Sequence, residues 1–111
     1  MEIVARQEKN ALVVTVSGRL DAVTSPEYEQ RMSALVSAGA THVVADFEAL
    51  DYISSAGLRS ILIAGKQVMA AGKQFRFAHV HGPVKEVFHI SGFTGLFPID
   101  ESVADALKAL A

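Results

Sequence analysis

The sequence predicts an α/β fold: a mixed β-sheet of four to five strands flanked by about four α-helices, in the order β-β-α-β-α-β-α-β-α. Two observations carry this expectation. β-branched runs of strand length alternate with segments whose apolar residues recur every three to four positions, and Gly or Pro marks most of the changes. The first two strand-like runs are separated only by the polar turn "EKN", so they form an antiparallel hairpin. Helices separate the later strands, which therefore run parallel at the sheet centre, with helices packed mainly on one side. The 111 residues suffice for one domain, residues 1–111, and are too few for two. A chain this long buries about two-thirds of its unfolded surface, so a core forms without staples.

Residues 2–6 make the first strand, and "ALVVTVSG" makes the second. In the second, Leu12, Val14 and Val16 share one face, while Val13, Thr15 and Ser17 share the other. Gly18 is expected to break this strand. Thr24-Ser25-Pro26 then signals a helix start, with Glu27 placed to complete a capping box with Thr24. Tyr28, Met32, Leu35 and Val36 form the apolar stripe of that helix, and Gly39 stops it in the left-handed conformation. "THVVADF" is apolar with little alternation, as suits a strand covered on both faces. A helix follows in which Leu58, Ile61, Leu62, Gly65, Val68 and Met69 keep helical spacing, closed by Gly72. "KQFRFAHV" alternates again, with Phe75 and Phe77 on one face. "GPVKEVFHISG" is a short helix opened by Pro83 and closed by Gly92. "LFPI" is an edge strand at best, because Pro98 donates nothing to a ladder. "DESVADALKALA" is a last helix that buries Val103, Ala106, Leu107 and Leu110.

Composition excludes several functions. The net charge is −2, and nucleic-acid binding usually needs a basic face. With no cysteine, disulfide and thiol chemistry are excluded. The N-terminus lacks the basic start and apolar core of a signal peptide, and no apolar run reaches the ~20 residues that span a bilayer. A cytoplasmic protein that contacts neither membrane nor nucleic acid is expected. Phosphate-loop, Gly-x-Gly-x-x-Gly, His-Glu-x-x-His and Gly-x-Ser-x-Gly patterns are all absent. His79 and His81 would share a strand face if the strand reached that far, but His42 and His89 belong to other elements. Carboxylates at Asp46 and Asp51 could bind a metal or serve as an acid–base pair, but the favoured reading is solvated residues at a strand end and in a turn. No metal, cofactor or catalytic residue is expected.

The stretch "DYISSAGLRSIL" (51–62) stands out, because Ser54 and Ser55 lie where a strand passes into a helix. One hydroxyl there caps free backbone N–H groups, worth about 1 kcal/mol. The same place suits a phosphate, since a helix N-terminus presents N–H donors and a partial positive charge. Phosphorylation would leave the helix intact and change the surface by nearly two negative charges. Ala56 and Gly57 are small and would leave the serine approachable. Arg59, on the same helix, could meet an acidic partner or simply face solvent.

Ile53-Ser54-Ser55-Ala56-Gly57-Leu58 resembles the signature of the bacterial anti-sigma factor antagonists, the small single-domain STAS proteins. "VSGRLDAVTSPEYE" (16–29) resembles the family's second strand and first helix start, and "VKEVFHISGFTGLFPI" (84–99) its third helix and final strand. The three segments occur in order and cover nearly the whole chain. The resemblance implies a non-enzymatic partner switch. The unphosphorylated protein would bind an anti-sigma factor that is a serine kinase of the histidine-kinase-like ATPase fold. Phosphorylation at Ser55 would release it, and a PP2C-type serine phosphatase would restore binding. By the same resemblance Asp21, in the loop before the first helix, contacts the kinase, together with Ser54, Ala56, Gly57 and Arg59. Many members carry Asp where this chain has Ser54, which makes Ser54 a rival acceptor. STAS domains also serve as adaptor subunits of transport or other regulatory complexes, and there the serine pair would be only a cap.

Overall fold

The hairpin consists of β1 (Glu2–Gln7) and β2 (Ala11–Leu20), paired antiparallel from Glu2↔Ser17 to Gln7↔Leu12, in a computed structural model that describes residues 1–39 and 41–111. After α1 (Ser25–Ser37), β3 (His42–Asp46) returns parallel to the first half of β2. The strand that passes into the helix at Ser54 is not the end of β3 but a separate one, which the sequence expectation did not separate: β4 (Leu50–Ile53), parallel to the end of β2 through Gly18↔Leu50, Arg19↔Tyr52 and Leu20↔Ile53. Then come α2 (Ser55–Ala70), β5 (Phe75–Ala78), α3 (Gly82–Ser91), a 3₁₀ turn at Phe93–Gly95, β6 (Ile99–Asp100) and α4 (Val103–Ala109). The sheet order is β1-β2-β3-β5-β6, with β4 joined to β2 off this path. Among the described residues it has six strands, not four to five.

The extra strand has a physical cause. β2 is ten residues long, and β3 pairs only with residues 11–15 of it. Without β4, the backbone N–H and C=O groups of residues 18–20 would lack ladder partners on that stretch. Gly18 does not end the strand as expected. It takes φ +89° and marks a bulge between Gly18 and Arg19, beyond which the strand runs on to Leu20.

The two faces of β2 divide as the alternation predicts. Leu12, Val14 and Val16 join the main core with α1, α2 and α3, whereas Ala11 and Val13 lie with Val44 and Ala78 beneath α4. Three helices therefore cover one face and α4 the other. All six phenylalanines form one network, with ring centroids 4.8 Å apart at Phe75–Phe77 and up to 6.1 Å at Phe47–Phe88. Tilted and edge-on pairs at these distances add attraction beyond area burial. In α1, Tyr28 and Met32 are fully buried, and Leu35 and Val36 pack against them. The α2 stripe is rotated from the expected one. Gly57, Ser60, Ile61, Ala64, Gly65 and Val68 are buried, while Met69 is exposed. Small residues are needed on that stripe: a Cβ on Gly65 would lie 2.5 Å from the Phe97 ring. Gly39 and Gly92 close α1 and α3 at positive φ as expected. No helix among the described residues is long and apolar enough to cross a membrane.

Candidate functional site: the β2–α1 loop and the start of α2

Ser54 and Ser55 have different jobs. Ser54 is the N-cap of α2, in extended conformation, and its Oγ accepts a hydrogen bond from the Gly57 N–H at 3.2 Å. Its own N–H donates to the Leu20 carbonyl at 3.0 Å, and its carbonyl accepts from Leu58 N–H at 2.9 Å. Ser54 is thus held at three points and is half-buried. Ser55 is the first helical residue and is exposed; its hydroxyl has no hydrogen-bond partner among the described residues. The hydroxyl that stabilises the helix start is one residue away from the hydroxyl that is free.

The Leu20–Ser54 hydrogen bond also places Asp21 beside this helix start, because Asp21 follows Leu20 directly. The loop from Asp21 to Ser25 is tightly bonded. Asp21 Oδ1 accepts from the N–H groups of Val23 at 3.0 Å and Thr24 at 3.2 Å, and the Asp21 carbonyl accepts from both Ser25 N–H and the Ser25 hydroxyl. The Thr24 N–H bond is the main cause that holds the Asp21 carboxyl below its usual range. Partial burial opposes it, and the Val23 N–H, the Thr24 hydroxyl and Arg19 add to it. The expected Thr24–Glu27 capping box does not form. The Thr24 hydroxyl turns back to the Arg19 carbonyl at 2.9 Å and accepts from Asp21 N–H at 2.9 Å, leaving the α1 start uncapped by a side chain. Asp21 and the β2 end compete better for that hydroxyl than the helix does.

Among the other expected contact residues, Ala56 and Arg59 line a shallow groove between α1 and α2 together with Ala22, Ser25 and Pro26. Arg59 is exposed there. Gly57 corrects the expectation that it faces a partner. It is buried, and a Cβ at this position would lie 2.4 Å from the Leu20 carbonyl oxygen. Its role is to let the α2 start approach the end of β2.

Three residues of this surface were missed from sequence. Arg19 stacks its guanidinium 4.0 Å from the Tyr52 ring centroid, and its Nε lies 3.7 Å from Asp21 Oδ2. Tyr52 is partly exposed, and Val23, at the tip of the Asp21 loop, is 87% exposed. The signal was the unpredicted β4, whose register sets Tyr52 opposite Arg19. Without that strand, "GRLD" and "DYIS" have no reason to meet.

The family model described as "STAS domain" matches residues 2–106. The chain is 36% identical over 98 residues to BtrV of Bordetella bronchiseptica, provisionally named an anti-sigma factor antagonist, covering 88% of this chain and 84% of BtrV. The crystal structure of an anti-sigma factor antagonist from Mycobacterium paratuberculosis superposes with a TM-score of 0.88 at 28% identity, covering 97% of this chain and 92% of that one. The Bacillus cell fate determinant SpoIIAA in its phosphorylated form shares the fold, with a TM-score of 0.77 at 19% identity over 99% of this chain and all of that one. With the family model spanning almost every element from β1 into α4, the chain belongs to the STAS domain family.

Proposed function

We propose that the protein is an anti-sigma factor antagonist that works as a phosphorylation-controlled partner switch, with Ser55 as the acceptor. The observation that carries this reading is the division of labour between the two serines: Ser54 is committed to the cap, and Ser55 is exposed with its hydroxyl free. The names of the similar proteins support the functional class. In the unphosphorylated state, the surface formed by the Asp21 loop, Arg19, Tyr52 and the first turn of α2 binds the anti-sigma factor, a serine kinase of the histidine-kinase-like ATPase fold. The protein itself catalyses nothing in this scheme.

Phosphate on Ser55 sits at the first helical position, where free N–H groups and the helix dipole favour an anion. The fold therefore tolerates it, and the consequence falls on the interface. A doubly charged group placed inside a contact surface without a partner costs several kcal/mol, and each 1.4 kcal/mol is about tenfold in affinity. Release of the kinase follows without refolding of the antagonist. A PP2C-type phosphatase, carrying its own divalent metal, resets the switch.

The test is incubation with the cognate kinase and ATP, followed by mapping of the phosphosite by mass spectrometry. Ser54→Ala should still be modified at Ser55, and Ser55→Ala should not be modified at all. Phosphate uptake by Ser55→Ala from its cognate kinase would overturn the assignment.

A further inference from the structure

The ends of β3 and β5 bring together three side chains outside the partner surface. Asp46 ends β3, Glu48 lies in the turn that follows, and His79 is the first residue past β5. One ligand atom from each lies within 4.8 Å of the other two. The backbone fixes the two strand ends against each other. Phe47 N–H donates to the Ala78 carbonyl at 3.0 Å, and Glu48 N–H donates to Asp46 Oδ1 at 3.2 Å. From the far side, His81 Nε2 lies 2.7 Å from the Glu48 carbonyl oxygen, tying the turn to the start of α3. His79 itself has φ +58°, the one positive value at a non-glycine residue among those described. The chain thus leaves β5 in a conformation that L side chains rarely adopt, with the imidazole beside the two carboxylates.

We propose that Asp46, Glu48 and His79 form a binding site for a divalent transition-metal cation, of which Zn²⁺ is the probe. The donor set decides the class of ion. Two carboxylates alone would suit Mg²⁺ or Ca²⁺, which take oxygen ligands. An imidazole nitrogen beside them shifts preference to Zn²⁺ and its first-row neighbours. Bonds of about 2.0–2.2 Å bring such ligand atoms to about 3–3.5 Å from one another. The three groups therefore need to close by about 1–2 Å, and Glu48 is exposed and free to swing inward. Three protein ligands leave coordination positions open to water or to another molecule. The hollow beside the site carries Glu48, His79, His81, Lys85 and Glu101 among its lining residues, with Val80 and Gly82. Lys85 opposes a cation there, while Glu101 adds to the two carboxylates. Sequence spacing hides the site, because Asp46 and Glu48 are some thirty positions from His79 and meet only through the β3–β5 pairing. The site does not depend on the partner switch, although both lie at the C-terminal ends of parallel strands.

The test uses the untagged full chain stripped with chelator and titrated calorimetrically with ZnCl₂ and, separately, MgCl₂. One equivalent of Zn²⁺ should bind, with Mg²⁺ at least about a hundredfold weaker. Glu48→Gln and His79→Gly should each weaken Zn²⁺ binding by about tenfold or more. Glycine suits the positive φ at position 79, so that variant removes the imidazole without straining the chain, and circular dichroism confirms that both variants fold. His89→Ala, on α3, should bind as the wild type does. Absence of binding up to about 1 mM Zn²⁺, or wild-type affinity in Glu48→Gln and His79→Gly, overturns the proposal.

Discussion

Gly57→Ala separates two effects of opposite sign. Replacing a glycine by alanine within a helix normally stabilises by up to about 1 kcal/mol, through backbone entropy and propensity. At this position the added Cβ would stand 2.4 Å from the Leu20 carbonyl oxygen and 2.9 Å from Ile53 Cγ1. Carbon and oxygen normally approach no closer than about 3.3 Å, so the shortfall is roughly 1 Å. The nearest atom is backbone and cannot rotate away. Either the start of α2 or the end of β2 must move, at a typical cost of about 1–3 kcal/mol. The same carbonyl accepts from Ser54 N–H, and weakening that bond adds about 1 kcal/mol. The net expectation is a loss of about 2–3 kcal/mol, or roughly 10 °C in Tm for a domain of this size. Urea denaturation at equilibrium measures it, with an unchanged m-value confirming that the denatured state is not the cause. Because the displaced junction also joins the Asp21 loop to Ser55, phosphorylation of the folded variant should be slowed as well. A Gly57→Ala protein as stable as wild type would refute the close approach on which the site geometry rests.

Other expectations follow from single side chains. The Tyr28 hydroxyl is fully buried with no hydrogen-bond partner among the described residues, and burial pushes its phenol well above the usual pKa. Tyr28→Phe should therefore stabilise the fold by about 1 kcal/mol in thermal melts, and a loss of that size would show that the hydroxyl is bonded in solution. Ser54→Ala removes the α2 cap and should cost about 1 kcal/mol in chemical denaturation, while Ser55 remains phosphorylated by the kinase; unchanged stability would contradict the cap. The Asp21 carboxyl titrates below its unfolded value, so its stabilisation is present above about pH 4 and is lost as pH falls through the lower folded value. Asp21→Asn keeps the acceptor oxygen and removes the charge. Its stability should consequently fall less steeply than that of wild type between about pH 5 and pH 2, and parallel curves would show that the carboxylate is not specifically held.

What the sequence showed and what it hid differ in a physical way. Helix stripes and strand alternation are local patterns. The α4 stripe at Ala106 and Leu110 and the face of Phe75 and Phe77 could be assigned without knowing any neighbour. β4 is a different case. Leu50–Ile53 is four residues long with two exposed, and it is a strand because the far end of β2 needs partners there. Gly18 misled for the same reason: a glycine at positive φ reads as a stop when seen alone and becomes a bulge when a partner strand continues past it. Thr24 misled through competition, since the oxygen that would accept a helix N–H accepts the Asp21 N–H instead, while its proton goes to the Arg19 carbonyl.

The serine pair was legible as a place, and the family resemblance singled out Ser55 as the acceptor with Ser54 as its rival. Which of the two hydroxyls caps the helix was not legible. The assignment depends on long-range geometry. Ser54 is fixed because its N–H reaches Leu20, a residue thirty-four positions earlier, and that bond holds its Oγ over the Gly57 N–H. Had Ser55 been the cap, α2 would begin one residue later and Gly57 would move off its contact with the Leu20 carbonyl, where only a hydrogen fits. Gly57 therefore sets the register of the helix start, and the register of the helix start leaves the Ser55 hydroxyl outside. A small buried residue with no chemistry of its own determines which of two identical hydroxyls is left exposed.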